Sequence, residues 1–266
     1  MIRPAPLRHR ALGPRLLALC ALAAFGQLSA CTSEASDHGP TSLERHVDDS
    51  GINRALSFDG VNEYATTATA AFPDGHSAYT LSTWFRLDDL TGKQAFITVR
   101  KDFDSGLVLG VIDGVVTAWR VFGDKALLAA PTALTIDTWH HAAYTFDSTT
   151  NRLYVDGALV ASSDNIPDKR TPLTCLLGTL EGSTELLHGS LDDVHVFEVQ
   201  RTAEQINSEL TQPVSPDTVG LVMSLPFDER EGPIVYDHSS FENDGQLGDG
   251  IPLRMPKRVD GRKASN

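Results

Sequence analysis

From Ile52 onward the chain alternates apolar and polar residues in short bursts, and Gly, Asp or Asn interrupts them at intervals of ~8–12 residues, the rhythm of sandwiches and jelly rolls. ALSFDG, YTLSTWFRLDD, QAFITVRK, GLVLGVIDG, VVTAWRVFG, HHAAYTFD, RLYVDGALVAS, TCLLGTL and GSLDDVHVFEV each fit a strand, with successive side chains on opposite faces. Helical period is nearly absent before residue 202. There RTAEQINSEL offers Thr202 as N-cap, Gln205 as the third-position partner of a capping box, and Ile206 with Leu210 on one face, so one short helix is expected near 202–210. TQPVSPDT, residues 211–218, carries two prolines and reads as a linker, after which residues 219–250 resume β patterning and 251–266 form a tail.

The N-terminal segment has a different pattern. Residues 1–30 contain Arg3, Arg8, Arg10 and Arg15, no acidic residue, and the apolar run LLALCALAAF, which is shorter than the ~20 residues that a membrane-spanning helix requires. That is the layout of an export signal. It ends in LSAC, residues 28–31, which resembles the bacterial lipoprotein box; the resemblance implies that Cys31 is lipidated and becomes the first residue of the mature chain. Thr32 in place of Asp at the next position implies sorting to the outer membrane. Residues 32–50 are rich in Ser, Asp, Glu, His and Gly, too poor in large apolar groups to fold, and read with Cys31 as a tether between membrane and domain.

Composition narrows the partners. Without residues 1–30 the chain keeps 18 of its 22 basic residues against 35 acidic ones, a net charge of −17, which disfavours a nucleic acid partner. Of the three cysteines, Cys20 lies in the signal and Cys31 is the lipid candidate, so no disulfide framework can staple the domain. Cys175, in PLTCLLG, reads as a buried small hydrophobe.

RALSFDGVNEYA, AYTLSTWFRLDD, TWHHAAYTFDSTTNRLYVDGALVAS and GSLDDVHVFEVQRTAEQI, in this order and spacing, resemble the laminin G-like domains of the concanavalin A-like lectin/glucanase superfamily over about residues 46–210. The resemblance implies an all-β fold, a two-sheet antiparallel jelly-roll sandwich, with a domain core at 51–210. GLVMSLPFDEREGPIVYDHSSFENDG resembles the segment that in this family precedes the FDG strand, yet here it follows the closing helix. Either a second domain is truncated at its opening, or the tail completes the first sandwich; the second reading is preferred, because an isolated strand pair is marginally stable and an open sheet edge is a liability.

Candidate chemistry is sparse. His140 and His141 are adjacent on a strand and point to opposite faces, so they cannot chelate one ion, and both are read as structural. In LDDVHVFE the carboxylates of Asp192 and Glu198 share a face but stand about 20 Å apart at ~3.3 Å per residue, too far for a glycosidase pair. An enzyme is therefore not expected. The resemblance implies that acidic residues at the sandwich rim bind a structural Ca²⁺, with Asp59 and Asp192 as ligands and Asn62 and Asp237 as weaker ones, although Asp-Gly also simply makes a good turn. Trp84, Trp119 and Tyr64 are candidate stacking platforms for a sugar, or else core and rim packing. The expected function is a lipid-anchored cell-envelope protein that recognises a carbohydrate or a surface protein and meets the membrane only through its N-terminal lipid. The alternatives are a scaffolding lipoprotein that binds a protein partner and an atypical glycoside hydrolase.

Overall fold

The computed structural model describes residues 53–67, 77–102, 105–121, 126–165 and 174–263. The signal, Cys31 and the tether fall outside the described residues. The strands divide between two antiparallel sheets that enclose one apolar core. The first sheet contains β1 (Arg54–Asp59), β3 (Tyr79–Leu87), β8 (Trp139–Phe146), β9 (Asn151–Val155), β10 (Ala158–Ser163), β12 (His188–Phe197), β13 (Leu221–Leu225) and β16 (Lys257–Asp260). The second contains β2 (Ala65–Thr67), β4 (Lys93–Asp102), β5 (Ser105–Ile112), β6 (Val115–Arg120), β7 (Ala126–Ala129), β11 (Thr174–Leu177), β14 (Ile234–Val235) and β15 (Gly245–Leu247). Alternation supplies the core: Leu81, Phe85 and Leu87 of β3 face Phe96 and Ile97 of β4, and Phe85 stacks on Phe96 with ring centroids 4.3 Å apart.

The fold is thus the two-sheet sandwich with one short helix that the pattern predicts. Helix α1 (Ala203–Glu209) carries the expected capping box between Thr202 and Gln205. It lies on the outer face of the first sheet, where Ile206 packs on Ala143 and Tyr154, and Asn207 Nδ2 donates to the Gly157 carbonyl at 3.2 Å.

Segments after the helix supply strands to both sheets. In the first, β13 pairs with β12 and β16 with β1; in the second, β15 pairs with β2. On the edge away from β3, β12 has two successive neighbours: β1 pairs with it from His188 to Leu191, and β13 from Val194 to Phe197. At the seam between them the register against β3 shifts between Asp192 and His195, and Asp193 adopts a positive φ of 48°. Such bulges re-aim side chains. This one places a short polar segment at the centre of the sheet.

Candidate functional site

The outer face of the first sheet is polar, and half of it is sealed. On β3 the outward positions are Thr80, Ser82, Trp84 and Arg86; the first two are fully buried and the last two half-buried. On β8, Ala143 and Thr145 are sealed while Trp139 is half-buried. Helix α1 and the residues around it form the cover. Glu209 accepts from Ser82 Oγ at 2.8 Å and from Arg201 Nε at 3.2 Å, and Arg201 lies 4.6 Å over the Phe197 ring. Burial raises the Glu209 carboxyl, and the Ser82 and Arg201 contacts oppose that rise.

Beside this cover sit two buried histidines. Burial lowers His141 to about 4 and His195 to about 3, so both rings are neutral at pH 7. The 3.8 Å approach of His141 Nε2 to Glu209 is therefore a contact between a carboxylate and a neutral ring, not a salt bridge. His140 faces the other way, hydrogen-bonded to Asp156 at 2.8 Å. The two histidines do point apart, as strand geometry requires.

Past the helix the face opens into a hollow of about 380 Å³ lined by Trp84, Arg86, Trp139, Asp260, Arg262 and Lys263. Pairing brings the two tryptophans near one another: Trp84 stands opposite His141 and Arg86 opposite Trp139 in the β3–β8 ladder. The Arg262 guanidinium lies 4.2 Å over the Trp84 ring, and Arg86 is 5.9 Å from the Trp139 centroid. Arg262 is anchored from behind, since its backbone N–H donates to Asp192 at 3.1 Å and its side chain meets Asp193 at 3.5 Å. Asp192 is 1% exposed; burial, then the Asp193 charge, pushes its carboxyl up to about 8.

Of the three aromatic candidates, only Trp84 reaches this hollow. Trp119 is 1% exposed and lies on the outer face of the second sheet, packed on Ala95 and Val108 with Ile112, Val121 and Leu180 around it, so it has no face to offer a ligand. Tyr64 is 4% exposed, and its hydroxyl donates to Asp249 at 2.6 Å. Both expectations are corrected by burial. Trp139, Arg86 and the tail's cations are the residues the sequence reading missed. Pairing TWHH with STWF antiparallel would have brought Trp139 beside Trp84, but nothing local pointed to Arg262.

The four proposed calcium ligands are likewise not gathered. Asp59 is exposed and accepts from Val61 N at 2.8 Å and Asn62 N at 3.3 Å, an Asx turn. Asn62 contributes a backbone donor to that turn. Asp192 is held in the first sheet by Arg262. Asp237 is buried and accepts from Ser224 N, Ser239 N, Ser239 Oγ and Asn243 N at 2.7–2.8 Å, which organises the turn after β14. Among the described residues no three His, Cys, Asp or Glu side chains converge as a metal ion requires. Cys175 is buried, and burial pushes its thiol up to about 12.

Residues 59–207 match the family model described as the Concanavalin A-like lectin/glucanases superfamily. No curated protein matches the chain. Among solved structures, a candidate carbohydrate-binding protein from Bacteroides ovatus is similar at 19% identity and a TM-score of 0.60, over 80% of this chain and 61% of that one. The chain thus spans about three fifths of that protein's length. A heptameric SAP-like pentraxin from Limulus polyphemus is similar at 12% identity and a TM-score of 0.51, over 74% of this chain and 95% of that one. At these identities the likeness is one of fold.

Proposed function

The chain belongs to the concanavalin A-like lectin/glucanase superfamily, and from that premise we propose that it is a glycan-binding module, displayed at the cell envelope by a lipid on Cys31, that recognises its ligand without cleaving it. The observation that carries the reading is the pair of half-buried tryptophans, Trp84 and Trp139, on one open hollow with Arg86, Asp260, Arg262 and Lys263. Sugars present C–H faces that pack on aromatic rings and hydroxyls that need charged or amide partners, and this lining has both. The description of the Bacteroides ovatus protein as a candidate carbohydrate binder agrees with it. Among the described residues Asp260 is the one carboxylate on this hollow, whereas glycoside hydrolysis uses two.

The lipid anchor rests on the arginine-bearing signal, the apolar run and LSAC, and outer-membrane placement on Thr32. Among the described residues no helix is long and apolar enough to cross a membrane. Calorimetric titration of a glycan panel, with a reducing-sugar assay on the same samples, tests the site. Heat on binding that shrinks in Trp139→Ala, without release of free sugar, is expected; sugar release would overturn the non-catalytic part, and absence of any binding the whole. Loss of labelled fatty acid in Cys31→Ala is the corresponding result for the anchor.

A further inference from the structure

The seam in the first sheet holds a second hollow, of about 440 Å³, within the ~300–1,000 Å³ of small-molecule pockets. It opens where the ladder of β12 passes from β1 to β13, with Asn53 just before β1 on one side and Pro226 and Asp228 just after β13 on the other. Its floor is the bulge itself, Asp193 and His195. His195 is 6% exposed, and its Nδ1 is buried without a hydrogen-bond partner. Buried polar atoms are nearly always paired, so an orphaned ring nitrogen lining a hollow marks a place where a ligand or water completes the bonding. Arg262 repeats the signal: it lines both hollows, and its Nε is also buried without a partner.

We propose that this hollow is a second ligand site, built for one neutral polyhydroxy ring of hexose size. Three features define that class. First, the lining sets two carboxylates, Asp193 and Asp228, against one guanidinium, Arg262, which already lies against Asp193, so no surplus cation awaits a free anion. Second, the lining mixes donors and acceptors, with the imidazole, the guanidinium and the Asn53 amide beside the carboxylates of Asp193 and Asp228, the mixture that hydroxyls can satisfy. Third, the wall is aliphatic, made by the rings of Pro213, Pro216 and Pro226 and the side chain of Val214, which offers C–H surface to a sugar ring. Arg262 lines both hollows, so a glycan long enough to cross this side chain would meet both. The ligand class rests on the glycan-binding reading above, and the seam site stands or falls separately from the tryptophan site.

The test is a titration of the ¹⁵N-labelled full chain with glucose, galactose, N-acetylglucosamine and glucuronate, reading the ring nitrogens of His195 and the indole signals of Trp84 and Trp139. A neutral hexose is expected to shift the His195 ring signals, and an oligosaccharide to shift both sets. Val214→Trp narrows the hollow from the 211–218 segment without touching the sheet and should weaken the hexose effect at least tenfold; His195→Phe, which removes the reporting ring, should weaken hexose affinity to the same extent by calorimetry. Trp139→Ala should leave the hexose effect at His195 in place. If sugars move the indoles and never His195, the seam site is overturned and the tryptophan reading stands. If His195 answers to glucuronate or inorganic phosphate but to no neutral sugar, the proposed ligand class is wrong. If no sugar moves either set, both readings fall.

Discussion

Trp84 and Trp119 occupy comparable places, each pointing outward from one sheet of the same sandwich, yet they sit in opposite environments. Trp119 lies flat across the second sheet because Gly110 beside it has no side chain; a Cβ there would stand 2.9 Å from the indole and 2.2 Å from the Gln94 carbonyl. Leu180 and Val121 close over it. Trp84 is flanked instead by a polar network and by the tail's Arg262, and it remains half open. Outward direction on a strand is therefore only half of what makes a binding aromatic. The other half is what the rest of the chain lays over it, and on the first sheet the helix stops short of Trp84 and Trp139.

The sharpest way to break the comparison is to truncate the sealed member. Trp119→Ala should cost about 3–5 kcal/mol of stability, read from the denaturation midpoint, and leave glycan affinity per folded molecule unchanged. A large loss of affinity with native stability would mean that Trp119 meets ligand after all. Next in size is the polar cover of the first sheet. Glu209→Ala strands Arg201 and Ser82 in a buried setting and should cost about 3 kcal/mol, more than an exposed carboxylate would. Trp139→Ala should reverse the Trp119 pattern: a smaller stability loss, and at least about tenfold weaker glycan binding, ~1.4 kcal/mol.

The smallest effect is a slope with pH. Asp192 is raised from its ordinary carboxylate value to about 8, so between those values the native state holds more protons than the unfolded chain. Its contribution is full below the unfolded value and is lost as pH rises toward 8. His141 and His195 act in the opposite sense, since their folded values lie below 6.5 and stability is lost as pH falls from there toward 4 and 3. Between pH 6.5 and 8 the Asp192 effect is isolated from the histidines: stability should fall with rising pH by up to ~1.4 kcal/mol per unit. Asp192→Asn should flatten that slope, and a slope unchanged in the variant would show that another group carries it.

The strands, the capped helix and the divergence of the two histidines were legible in the sequence because each depends on a period of two, on a cap three residues away or on adjacency. Trp119 could not be told from Trp84 by those rules. Its burial depends on Gly110 across a strand pair and on Leu180, which is sixty-one positions along the chain. Arg262 was illegible for the same reason: it meets Trp84 only because β16 pairs with β1 and carries the tail across the sheet. The acidic residues misled in another way. Asp59 and Asp237 have the side chain that a metal would want, but their oxygens are taken by backbone N–H groups, those of its own turn for Asp59 and those of its own turn and of Ser224 for Asp237.

The chain has three tryptophans, so its indole N–H resonances report on both sheets in one spectrum. Addition of a bound glycan should shift the Trp84 and Trp139 signals and leave Trp119 in place. A shift confined to Trp119, or no shift in any of the three while binding is measured by heat, would contradict the assignment of the ligand to the open half of the first sheet.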